Sequence, residues 1–201
     1  MIGNMEVGEY VSKQIKILAE NASRLEQGSS KAHLAQLRRG IGKRPGELPE
    51  LWGSFLNDLE EEMMSKTGEP SYEEWAIYTT LTLFSLHQQG HSEPMHAVGK
   101  ENHFGRAVRK LVHNEDDEEN IRKKLSIAAR SDDMTELSYH LKTIVKLLEN
   151  NDIKLDYVDL AKDLYWFQFE NNVDKVRLKW GQDFYYKAKT DDKRKDESNE
   201  E

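Results

Sequence analysis

Apolar residues recur at three- and four-residue intervals along almost the whole chain, the spacing that places them on one face of an α-helix. Val7, Val11, Ile15 and Leu18 predict a first helix over 5–26, ended by Gln27-Gly28-Ser29-Ser30. Leu34, Leu37 and Ile41 form the buried stripe of a short helix over 31–40, and glycines and Pro45 make the loop after it. Leu51, Trp52, Phe55, Leu56 and Leu59 predict a third helix over 48–65. The next start is explicit. Ser71-Tyr72-Glu73-Glu74 has the form of a capping box, in which Ser71 and Glu74 satisfy each other's free backbone amides, and the helix runs on to Gly90.

After a His-, Pro- and Gly-containing stretch over 91–101, the pattern resumes. It predicts helices near 102–113 (Phe104, Val108, Leu111), 118–130 (Ile121, Leu125, Ala128), 134–150 (Leu137, Leu141, Ile144, Leu148), 156–170 and 172–188. Asp133 and Glu136 suggest a second capping box. No alternating run with hairpin turn residues is present, and the four prolines avoid strong helical patterns. The expectation is an all-α fold, a compact bundle of about eight helices in two lobes. The lobes are placed at 1–95 and 96–189, followed by a disordered acidic tail over 190–201.

Composition narrows the function classes. The absence of cysteine excludes a disulfide framework, a thiol nucleophile and thiolate metal sites. No stretch has the length and apolarity of a membrane span, so a cytoplasmic location without membrane contact is expected. The net charge of −8 argues against a nucleic-acid binder only on average, because the charges are blocked. Residues 31–44 hold Lys31, Arg38, Arg39, Lys43 and Arg44 with no acid, and residues 120–131 hold Arg122, Lys123, Lys124 and Arg130 with no acid. Opposing them are Glu60–Glu62, the run 115–119 and a tail with six acids against three bases from Asp191 onward.

Seven-residue spacing sets Lys31 and Arg38 on one helix face, and likewise Lys123 and Arg130; Arg106 and Lys110 are four apart. Arg109 has Glu101 or Asp116 as candidate ion-pair partners. Lys175, Arg177 and Lys179 alternate with apolar residues and face different directions.

Other chemistry is thinly supported. His87 and His91 have the spacing of a helical metal-ligand pair, with His96 and His103 following, but Gly90 ends the helix between them. Neither a metal nor a cofactor is expected. The plainer reading has His87 and Gln88 hydrogen-bonding the 91–101 loop. Asp132-Asp133 reads as a helix cap, since adjacent helical residues diverge by about 100° and cannot form a two-metal cage. The four tryptophans read as core.

Three segments carry a resemblance. Leu34-Ala35-Gln36-Leu37-Arg38-Arg39-Gly40 is one, and Phe104-Gly105-Arg106-Ala107-Val108-Arg109-Lys110-Leu111 is the second. The third runs from Arg122-Lys123-Lys124-Leu125 through Asp156-Tyr157 to Val176-Arg177-Leu178-Lys179-Trp180-Gly181-Gln182-Asp183-Phe184. In order and spacing they resemble the CasB family, the small helical subunit of the type I-E CRISPR surveillance complex, Cascade. The resemblance implies a non-catalytic subunit present in two copies, beside the large subunit and the guide-carrying backbone subunits. It implies contact with crRNA, target DNA and the displaced strand of the R-loop. Where a second strong base is expected, this chain has His140, with Lys142 two residues on, and it is more acidic than the resemblance leads one to expect. The candidate nucleic-acid-binding residues are Arg38, Arg39, Arg106, Lys110, Arg122, Lys123, Arg130, Lys142 and Arg177. The competing reading is a helical adaptor whose basic patches dock an acidic protein.

Overall fold

In the computed structural model, residues 2–23 and 27–186 are described. The acidic tail lies outside them. Nine α-helices follow one another among the described residues: α1 (Ile2–Ser23), α2 (Gln27–Arg38), α3 (Trp52–Phe55), α4 (Tyr72–His87), α5 (Phe104–Arg109), α6 (Glu115–Ala129), α7 (Met134–Asn150), α8 (Tyr157–Phe167) and α9 (Glu170–Phe184). The backbone shows an isolated β-bridge between His96 and Leu155 and no named strand among these residues. The all-α expectation holds.

The helix starts follow their sequence signals. Ser71 accepts from the Glu74 amide at 3.0 Å and the Ser71 amide donates to Glu74 Oε2 at 2.8 Å, the reciprocal pair expected. At α7, Asp133 accepts from the Glu136 amide at 2.8 Å, but Glu136 reaches the amide of Asp132 instead of its neighbour. Asn114 caps α6 and Asp156 caps α8.

Two expectations need correction. Gln27–Ser30 is helical and opens α2, because a single Gly in a run of good-to-neutral helix formers costs only about 1 kcal/mol. The 48–65 segment is not one helix. It breaks into a 3-10 turn (Pro49–Leu51), the short α3 and a second 3-10 turn (Glu61–Met63), with Asp58 at φ 59° between them. Leu51, Phe55 and Leu59 still reach the core and Leu56 packs half-buried against it, joined by Met63 from outside the expected stripe, so the apolar spacing reported burial correctly except at Trp52 and continuity wrongly. Trp52 is half exposed and packs outside the core.

The centre of the fold is α4. Every residue from Ala76 to His87 is buried, polar ones included. Such a helix is covered on all sides, and α1, α2, α7 and α8 do the covering. Three of its hydroxyls turn back on the helix, Thr80 donating to the Ala76 carbonyl, Thr82 to that of Thr79 and Ser85 to that of Thr82, whereas those of Tyr78 and Thr79 are buried without a hydrogen-bond partner among the described residues.

The 91–101 loop is tied down. Gln88 donates to the carbonyls of His91 and Glu93 and accepts from the Met95 amide, as expected of it. His87 turns elsewhere, to the Tyr157 hydroxyl at 3.0 Å inside the core. Where α5 meets α9, Gly105 permits the approach: a Cβ there would stand 2.7 Å from Asp183 Cβ, and closer still to the Trp180 carbonyl oxygen. The Gly-Arg-Ala element thus has a packing reason.

Candidate nucleic-acid interface

A cation is available to a phosphate when it is exposed and either unpaired or paired so weakly that exchange costs little. The basic residues divide by that criterion. Arg106 lies on the unavailable side. It donates through Nε to Asp183 at 3.0 Å, with the two side chains only 15% and 11% exposed, and its guanidinium stacks 3.7 Å from the Tyr186 ring centroid. It faces α9, not the outer face it was expected to share with Lys110. Lys110 is exposed at the end of α5 and donates to Asn102 Oδ1; partial burial lowers its pKa.

Arg177 is half committed. Its Nε donates to the Ala129 carbonyl at 2.6 Å and a terminal nitrogen meets Asp174 at 3.1 Å. Arg38 turns inward from the face expected for Lys31, donating to the Ser85 carbonyl of α4 at 3.1 Å, and desolvation lowers its pKa. Arg109 pairs with Glu118 at 2.8 Å, not with Glu101 or Asp116, and so ties α5 to α6.

The remaining cations are accessible. Arg39 meets Glu50 at 3.2 Å, but at 64% side-chain exposure such a pair is worth only about 0–1 kcal/mol. Lys43 and Arg44 pair with Glu47 and Glu69 at the surface. Lys142 is exposed on α7 and, among the described residues, has no ion-pair partner. The Gly42 amide donates to Ser138, one turn before Lys142, so the loop after α2 lies against the same side of α7.

Arg122, Lys123 and Lys124 are the largest free group. All three are exposed on α6, and among the described residues nothing engages their charged ends. Arg130, which caps α6, is exposed and bonds only the Ser126 carbonyl through Nε. Lys124, left off the candidate set, belongs with its neighbours; its signal was the acid-free window.

The positions fall into two regions. Arg177 reaches Ala129 beside Arg130, and it shares a cleft with Arg44, linking the α6 end to the loop after α2. Arg106 and Lys110 lie apart, on α5 beside Asn102 and the end of α9. Elsewhere, His91 lies 3.4 Å from Asp152, and no cluster of His and acidic residues among those described could hold a metal ion.

A family profile for the CRISPR-associated protein Cse2 matches residues 33–185, three quarters of the chain. The chain belongs to the CRISPR-associated Cse2 family, also called CasB. Its fold is similar to that of CasB from Thermobifida fusca, at 32% identity and a TM-score of 0.75, covering 90% of this chain and 98% of that one. It is also similar to a CRISPR-associated protein of the Cse2 family from Thermus thermophilus (18% identity, TM-score 0.61, 87% and 97% covered). M. ruber CasB matches at 22% identity and a TM-score of 0.60, with 86% and 92% covered. At these identities the last two speak to the fold alone. Among curated proteins, none matches the sequence.

Proposed function

We propose that this Cse2-family chain is a non-catalytic subunit of a type I-E CRISPR RNA-guided complex of the Cascade type, where it holds nucleic acid by its phosphates. The observation that carries the reading is the trio Arg122, Lys123 and Lys124, exposed and unengaged on a fifteen-residue helix. These three cations fan over about 200° of a rigid helix, so their long side chains can follow a phosphate backbone that crosses α6 without reading bases, which suits a complex whose guide RNA reads the sequence by pairing. Arg39, Arg130 and Lys142 extend the surface, and exposed pairs such as Arg39–Glu50 exchange readily for phosphate. The ligands are crRNA paired to target DNA and the displaced strand. The protein partners are the large subunit, the backbone subunits and a second copy of this chain, all in the cytoplasm. Among the described residues, no helix is long and apolar enough to cross a membrane.

The test is fluorescence anisotropy of labelled single-stranded DNA across a salt series, with the variant Arg122→Glu/Lys123→Glu/Lys124→Glu alongside. Neutralising three phosphates of a single strand gives a log–log salt slope of about −2 from this trio, which the variant loses. Binding that keeps its slope in the variant removes α6 from the interface. A wild-type protein that binds no nucleic acid, alone or with the other subunits, overturns the reading in favour of a protein-only adaptor.

A further inference from the structure

A tyrosine on the outer face of α7 takes no part in the core. Tyr139 is 63% exposed, and one turn away on either side stand the short, exposed Thr135 and Thr143, which leave its ring uncovered. Among the described residues the ring meets only the adjacent His140, edge-on with 5.7 Å between centroids, and nothing bonds its hydroxyl. A single exposed tyrosine is ordinary in itself. What sets this one apart is the charge beside it.

Lys142 follows three residues on, the spacing that leaves Cβ atoms about 5–6 Å apart on a helix surface, and its ammonium has no ion-pair partner among the described residues. The nearby acids are engaged elsewhere. Glu136 gives one oxygen to the Asp132 amide at 2.8 Å, and its other lies 3.6 Å from His140, on the flank of α7 away from Lys142. Glu149 meets Lys146 at 2.7 Å. Beside the same turn, the Gly42 amide donates to Ser138 at 3.2 Å. Gly42 has open space where a Cβ would stand, so bare backbone lies next to Tyr139, with the surface cations Arg39, Lys43 and Arg44 close along the chain.

An open aromatic face one side chain away from a free ammonium suits a single unpaired nucleotide, its base on the ring and its phosphate on the lysine. A duplex fits poorly, because its bases are already stacked on one another and offer no face. A protein anchor is disfavoured: α7 exposes no second large apolar side chain, and lysine is depleted from the cores of protein interfaces. We infer that Tyr139 stacks on an unpaired base while Lys142 holds the phosphate of that nucleotide. This assignment rests on the nucleic-acid reading above and adds to it a base contact that tolerates any sequence, since every base has a π-face.

The test is fluorescence anisotropy on the full chain and on its complex with the other subunits. The probes are labelled oligo(dT) and an abasic deoxyribose-phosphate strand of equal length, which keeps the phosphates and lacks the bases. Tyr139→Ala is expected to weaken oligo(dT) binding by about five- to a hundredfold, the range for one stacked base, and to leave the abasic strand unaffected. Tyr139→Phe, which keeps the ring, should bind both strands as the wild type does, and both variants should keep its salt slope and unfolding temperature. Lys142→Ala should instead make the log–log salt slope shallower by about 0.7 on either strand. The stacking assignment is overturned by a wild type that binds the two strands equally, by a Tyr139→Ala variant that weakens both alike or neither, or by a Tyr139→Phe variant that behaves as the alanine one. A Tyr139→Ala chain that keeps its nucleic-acid affinity but no longer joins the other subunits makes the ring a protein anchor and overturns it too. Equal binding of the two strands leaves the phosphate reading standing, whereas a wild type that binds neither, alone or in the complex, removes both, so the two failures are told apart.

Discussion

Gly105 and Gly181 lie on the two helices that pack together at the α5–α9 contact, and the same substitution at each should act with opposite sign. A Cβ built on Gly105 meets the backbone of α9 at the Phe184 nitrogen, 3.0 Å away, and nearer still at the Trp180 carbonyl oxygen, and stands 2.7 Å from Asp183 Cβ, an atom fixed by that backbone. Ordinary contact begins near 3.4 Å, so α9 must retreat by about 1 Å, and backbone atoms cannot rotate aside. Overpacking of this kind costs about 1–3 kcal/mol, and here the upper end applies because the retreat also stretches the Arg106–Asp183 pair. A Cβ on Gly181 meets nothing within 4 Å, and the residue lies inside α9. Gly181→Ala should therefore gain roughly 0.5–1 kcal/mol from the reduced freedom of the unfolded chain.

For a chain of this size each kcal/mol moves the unfolding temperature by about 2–4 °C. Gly105→Ala should fall by roughly 6–12 °C and Gly181→Ala rise by roughly 1–4 °C, followed by far-UV circular dichroism and checked by urea denaturation at fixed temperature. If Gly105→Ala unfolds within about 1 °C of the wild type, glycine is not required by the close approach and the packing argument is wrong.

Arg106→Ala should destabilise the protein by about 3 kcal/mol, because it leaves the buried Asp183 with only the more distant His103, while DNA affinity stays as in the wild type. Urea denaturation and anisotropy on the same sample check both halves, and a DNA affinity that drops with it would return Arg106 to the interface. Burial pushes the pKa of His87 down to about 4 from an ordinary 6.5. Between those values the unfolded chain binds more protons than the folded one, so His87 makes stability fall as pH drops through that window. Asp163 opposes it, since burial, countered only in part by Lys179 at 2.6 Å, lifts its carboxyl above the ordinary range and makes stability fall as pH rises out of that range. The quantity to measure is accordingly the difference between the wild type and His87→Gln in urea midpoint across pH 4–7; a difference independent of pH would sink the assignment.

Local signals in the sequence were read well where the physics is local. The Ser71–Glu74 box and the stripe of α7 depend on neighbours three or four residues away, and both appear as expected. The 48–65 segment failed because apolar spacing records which residues face inward, and two 3-10 turns around a short helix satisfy it as well as one long helix does. The basic residues show the same boundary. The acid-free window made Arg122 and Lys123 candidates, but Glu118 and Glu119 stand four residues before them and local spacing alone leaves pairing open; the fold turns Glu118 to Arg109 instead and leaves the trio unengaged among the described residues. Local spacing could not foresee that Arg106 would meet Asp183, 77 residues away, or that Arg38 would reach the Ser85 carbonyl, 47 residues away. The cleft shared by Arg44 and Arg177 was invisible for that reason: its lining comes from distant segments that only the fold assembles.

The burial of α4 on every side has a consequence for how the chain is made. About 70 residues separate the end of α4 at His87 from the start of α8 at Tyr157, one of the helices that cover it. At about 5–20 residues per second, a ribosome leaves that flank of α4 bare for roughly 4–14 s after the helix is complete, with α1 and α2 already available and α7 complete only shortly before α8 begins. An apolar segment uncovered for that long is a target for holdase chaperones and for association between neighbouring nascent chains on one message. Yield in a foreign host should accordingly respond to translation speed over the codons between α4 and α8.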